Sequence, residues 1–166
     1  MPNSENLMEI FERQIGAGFR FVDKVVKIDK DEGTIITTFD YSLEDESKHF
    51  LRDHFLGRPA MPLSLIIEMM AQTCGLFVAG VLGNGKCFVV RYDKCQSGSE
   101  LVTPPVQLVI TANLLKRRGR GTRSLWIFAV KVETDQAKSV GQGEITLFAG
   151  VGSSRSSEEL QDEIRD

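Results

Sequence analysis

"MPLSLIIEMMAQTCGLFVAGVL", Met61 to Leu82, is the stretch on which the fold turns. From Leu63 onward nearly every residue is apolar or small, and only Ser64, Glu68, Gln72 and Thr73 interrupt the run. The length approaches that of a membrane span, but a carboxylic acid and an amide near its middle are costly in lipid. A helix enclosed in a water-soluble protein is the expected reading, with no membrane partner. Pro62 suits the first helical position, and the Gly-Asn-Gly run from Gly83 ends the helix. A helix with so little polar face must be covered, and an antiparallel sheet curling around it would do so.

Successive helical residues turn by about 100°, so Ser64, Glu68 and Gln72, spaced by four, form one narrow polar stripe. Either this stripe faces solvent or a subunit boundary, or it brings Glu68 to the wall of a cavity. An unpaired carboxylate in a cavity takes up a proton, and a neutral acid at pH 7 is what general-acid chemistry requires.

The flanking sequence supplies the sheet. Leu7, Ile10, Phe11 and Ile15 recur at spacings of three and four behind Asn3 or Ser4, which predicts a short amphipathic helix. "FRFVDKVVKI" and "TIITTFDY" (19–28 and 34–41) are rich in β-branched and aromatic residues and flank "DKDEG", a hairpin whose Gly33 can take positive φ. Four more strands are predicted: "KCFVVRYD", "VQLVITANLLKR", "RSLWIFAVKVE" and "SVGQGEITLFA", the last three being hairpin neighbours. The class is α+β, with about six antiparallel strands around one long central helix in a single domain, 1–150. The tail, 151–166, is polar and charged, and is expected to be disordered or a marginal helix.

Composition narrows the function. The 166 residues carry a net charge of −3, which argues against a nucleic-acid partner. Cys74, Cys87 and Cys95 are odd in number and not closely paired, so neither a disulfide framework nor a zinc site is expected, and no metal or organic cofactor is implied. A polar, acidic N-terminus lacks the pattern of a signal peptide, so a cytoplasmic location is expected. "GVLGNGKC" (80–87) approximates a phosphate-binding loop, but it ends in Cys87 rather than a hydroxyl residue and leads from helix to strand. Lys116, Arg117, Arg118, Arg120 and Arg123 gather at a hairpin tip, either as a solvated turn or as a surface that attracts an acidic carrier protein.

His54, one of two histidines, stands in an irregular segment just before the helix. "HFLGRPAMPLSLIIEMMAQ" (54–72) resembles the signature of the β-hydroxyacyl-acyl-carrier-protein dehydratases of fatty-acid synthesis, which have the hotdog fold: His-Phe, spaced Gly and Pro, Met-Pro, then Glu and Ala-Gln. "FRFVDKVVKID", "KCFVVRYDKCQ" and "LLKRRGRG" extend the likeness over roughly 15–149. The resemblance implies that His54 and Glu68 are a catalytic pair that converts (3R)-hydroxyacyl thioesters on acyl carrier protein to trans-2-enoyl thioesters. His54 would take the C2 proton and Glu68 would protonate the departing hydroxyl. Glu in place of Asp at this position implies dehydration without isomerisation.

At the helix start Pro62 has no N–H, so Leu63 offers the first amide to the thioester oxygen, with Ser64 and Gln72 on the substrate side. Pairing of His54 and Glu68 across a homodimer, or a higher homo-oligomer, is implied. So is an acyl tunnel lined by Ile66, Met69 and Met70, which fit an ordinary core equally well. The chain departs from the family pattern at Asp53, Leu56, Leu63 and "PPV" (104–106). Asp53 favours the charged form of the neighbouring imidazole. The alternatives are a non-catalytic hotdog protein that binds an acyl chain or carrier, and a hotdog thioesterase.

Overall fold

A computed structural model describes residues 4–42, 59–83, 86–99, 101–120 and 123–150. The elements are α1 (Ser4–Gln14), a 3-10 turn at Ala17–Phe19, β1 (Lys24–Asp29), β2 (Thr34–Tyr41), α2 (Leu63–Leu82), β3 (Lys86–Ser97), β4 (Val106–Arg120), β5 (Arg123–Thr134) and β6 (Ser139–Gly150). The strands form one antiparallel sheet in the order β1-β2-β4-β5-β6-β3. All six predicted strands are present. The expected tail lies outside the described residues.

The sheet closes on α2 because alternate residues of its central strands are large and apolar. On β5, Trp126, Phe128, Val130 and Val132 are buried while Ile127 and Ala129 between them are half-buried. Phe77 of α2 meets this face, its ring edge-on to Trp126 and Phe128 at centroid separations of 6.3 and 5.6 Å. The sheet approaches α2 closely at Gly141, where a Cβ would lie 3.1 Å from Ile66 Cγ2 and 3.4 Å from Met70 Cε. The helix has the length and hydropathy of a membrane span, yet the sheet and α1 cover most of it. Thr73, the least expected of its polar residues, is satisfied by the Thr37 hydroxyl of β2 at 2.8 Å.

Both ends of α2 are fixed by particular groups. Gly83 takes the left-handed conformation (φ 82°) and returns its N–H to Ala79 O. Lys30 Nζ donates to Gly80 O at 2.6 Å, a cation at the negative end of the helix. At the start, Pro62 is the N-cap rather than the first helical residue. Its ψ is 153°, and its carbonyl receives the amides of both Leu65 and Ile66. Met61 N–H is tied to Val102 O, which sets the extended approach to the helix.

The first hairpin begins later than its composition suggests. Phe19 to Asp23 is not strand, because the Phe21 amide is bound by Gln72 of α2 rather than by a neighbouring strand. β3 is an edge strand, and Phe88, Val90 and Tyr92 on it are 58, 44 and 47% exposed. A bulge between Val89 and Arg91 re-phases it, so that Tyr92 pairs with the buried Ile145 on the helix side of the sheet.

Candidate active site

The polar stripe of α2 descends into the molecule: Ser64 is exposed, Glu68 half-buried and Gln72 buried. Gln72 uses its whole amide. Its Oε1 accepts the Phe21 N–H at 2.8 Å, and its Nε2 donates to Phe19 O at 2.9 Å and to Glu68 Oε1 at 3.0 Å. The two main-chain contacts fix which way round the amide sits, so its remaining hydrogen must point at Glu68. One carboxyl oxygen is thereby held, and the other takes no hydrogen bond from any described residue.

Glu68 opens onto a groove of about 510 Å³ between α1, α2 and β3. Its α2 wall is Glu68, Ala71, Gln72, Gly75, Leu76 and Ala79, one helical face. Ile10 and Phe11 of α1 stand opposite with Ile15 just beyond its end, and Cys87 and Val89 of β3 lie alongside. Tyr92 lies on the same side: burial raises its phenol above the ordinary range, and the charge of Glu68 adds to this. Burial pushes the Cys87 thiol up to about 11. It raises Cys74 well above the usual thiol range, with Cys87 contributing, so neither is a thiolate nucleophile at neutral pH.

The proposed site residues divide into three groups. His54 lies outside the described residues. Glu68 and Gln72 are brought together, and Leu63 and Ser64 open the same helix, where their amides precede any intrahelical acceptor. Ile66, Met69 and Met70 are not on the groove: all three are buried in the core, and Ile66 and Met70 pack against β6 at Gly141. The helix turn explains this, since 66 and 70 fall on the face opposite to 68 and 75. The wall supplied by α1 went unread, although Ala71, Gly75 and Ala79 among large neighbours were a visible signal of space at that face. Among the described residues no group of His, Cys, Asp and Glu could hold a metal ion.

The basic cluster also divides. Lys116, Arg118 and Arg120 alternate along β4 on the outer face, and Arg123 is paired with Arg120. Arg117 lies on the opposite face with its guanidinium 4.2 Å from the centroid of the Trp126 ring. It covers the core, so four cations rather than five form the outer patch.

A six-stranded antiparallel sheet wrapped on one buried helix defines the hotdog class. Solved structures agree. The dehydratase heterocomplex ApeI:P from Xenorhabdus doucetiae superposes with a TM-score of 0.68 at 16% identity, covering 92% of this chain and 93% of that one. A hypothetical thioesterase with coenzyme A from Streptococcus pneumoniae TIGR4 gives 0.63 at 14% identity, over 86% and 95% of the two chains. The FabA-like domain model matches residues 15–142. The 3-hydroxyacyl-[acyl-carrier-protein] dehydratase FabZ of Streptococcus thermophilus is 34% identical over 131 residues, 78% of this chain and 85% of its own. The Streptococcus pneumoniae FabZ is 33% identical over 78% and 86%. The chain belongs to the FabA-like family.

Proposed function

We propose that the protein is a 3-hydroxyacyl-acyl-carrier-protein dehydratase that forms trans-2-enoyl thioesters in fatty-acid or related lipid or polyketide synthesis. The observation that carries this is Glu68, held through Gln72 at the mouth of an apolar groove. His54 takes the C2 proton and the electron pair forms the C2–C3 double bond. The C3 hydroxyl leaves as water with a proton from Glu68. Charge on the thioester oxygen is met by the Leu63 amide at the start of α2, a donor of a kind worth about 3 kcal/mol. The test is direct. Purified protein and a (3R)-hydroxyacyl thioester should yield enoyl absorbance. Free thiol would instead mark a thioesterase, and neither product a protein that only binds acyl chains.

The working unit in this reading is a cytoplasmic homodimer. β3 leaves one line of main-chain groups unpaired beside exposed Phe88, Val90 and Tyr92, a surface suited to strand pairing with a second copy. Val90→Lys is expected to shift the dimer toward monomer in light scattering and to cut dehydration with it. An intact dimer would remove β3 as the interface.

The outer patch serves carrier docking. It stands at the Lys86 end of the sheet, where Lys86 pairs with Gly150 and Ser124 with Ala149. Two antiparallel β3 strands would set the patch of one protomer toward the Glu68 end of the other. Reversing the charges of Lys116, Arg118 and Arg120 is expected to slow turnover of carrier-bound substrate, most at low salt, and to spare a small thioester. Equal effects on both substrates would remove the role.

A further inference from the structure

α2 and β3 run in opposite directions, as two contacts show. Gly75 lies against Cys87, whose Sγ would be 3.3 Å from an added Cβ, and Ile66 meets the sheet at Gly141, where the Gln96 carbonyl of β3 is also close. Glu68 stands about two helical turns from Gly75 on the same face, about 10 Å along the axis. Tyr92 lies beyond Cys87 by four steps of the strand pairing, from Ala149 to Ile145, or about 13 Å. Its partner Ile145 is buried under the helix, so the phenol ring leaves the strand on the Glu68 side of the sheet. The two side chains are brought level with each other.

Neither polar end is committed. The Tyr92 hydroxyl makes no hydrogen bond with any described residue, and one oxygen of Glu68 is likewise without one. Nor do they bond each other, so an oxygen of the substrate can come between them. We infer that Tyr92 is a third catalytic residue, whose O–H donates a hydrogen bond to the C3 oxygen of the substrate while Glu68 protonates it. The inference rests on the dehydratase reading and adds to its leaving-group chemistry. The C3–O bond breaks with its electron pair passing to oxygen, the proton comes from Glu68, and Tyr92 keeps its own. Burial holds the phenol above its ordinary range, so it remains a donor at neutral pH. Such a donor counts for most when negative charge gathers on the departing oxygen, in the transition state.

Tyr92→Phe removes the hydroxyl and keeps the ring. With a (3R)-hydroxyacyl thioester, kcat is expected to fall at least about tenfold, the lower range for loss of one hydrogen bond to a charge-bearing group. KM should stay within about twofold of wild type, with the oligomeric state unchanged. Tyr92→Leu should fall equally. Wild-type kcat in Tyr92→Phe overturns the inference, as does a loss that comes with dissociation or is confined to Tyr92→Leu, since either assigns the ring to packing. A second measurement needs no turnover. The chain has two tyrosines, and the other, Tyr41, donates to Pro59 O at 3.1 Å. Spectrophotometric titration, with Tyr92→Phe identifying the Tyr92 step, should place that step lower in Glu68→Gln than in the wild type. Cys95, whose charge also acts on the phenol, is common to both proteins. An unmoved step overturns the pairing of Tyr92 with Glu68. A wild-type protein that dehydrates no hydroxyacyl thioester would instead sink the dehydratase reading, and the titration tells the two failures apart.

Discussion

Glu68→Gln is expected to lower kcat for dehydration by about 10²–10⁴-fold, the usual worth of a positioned general acid. The substitution is chosen because the amide is nearly isosteric with the carboxyl group and its carbonyl can still accept the hydrogen bond from Gln72 Nε2. Folding and groove shape should persist, and only the transferable proton is lost. KM should change little, since the acid acts on the departing hydroxyl in the transition state. His54→Ala is expected to show a loss of similar rank, through the C2 proton. Enoyl formation from a purified (3R)-hydroxyacyl thioester is the measurement. Wild-type rates in both variants would mean that the chemistry belongs to other groups.

Phe77→Ala should have the largest effect on stability, at about 3–5 kcal/mol. The ring is 1% exposed and lies edge-on to Trp126 and Phe128, so its removal leaves a void between the helix and the middle of the sheet. Neighbours on β5 cannot move in to fill it, because their backbone is held on both sides by β4 and β6. Against a typical total of about 5–15 kcal/mol, such a loss approaches unfolding. Urea denaturation measures it. A change below about 1 kcal/mol would mean that helix and sheet can close up after all.

Most of the architecture was readable because it depends on local periodicity. The strands announced themselves by alternation and by turn residues, and α2 by an apolar surface too broad for anything but enclosure. The expectation that Glu68 and Gln72 share a face also followed from spacing alone. What spacing could not convey was the partner of Gln72. Phe19 and Phe21 are more than fifty residues away, and nothing in "GFRFVD" marks two main-chain groups as bound for a glutamine on a distant helix. The same contact explains why β1 starts at Lys24. Ile66, Met69 and Met70 illustrate a second limit. Helix spacing already sets Ile66 and Met70 on the face opposite to Glu68, and the path of the sheet at Gly141 is what makes that face the core.

The bond from Gln72 ties Glu68, the proposed proton donor, to the first twenty or so residues of the chain. That arm contributes no strand among the described residues, yet it places Leu7, Phe11 and Phe21 in the core, so its detachment, whether by a protease nick or a bulky fusion partner, would uncover one side of α2. It would free the glutamine to swing and the glutamate with it. Reactivity would then be governed from a terminal arm that stands apart from the substrate's reacting carbons.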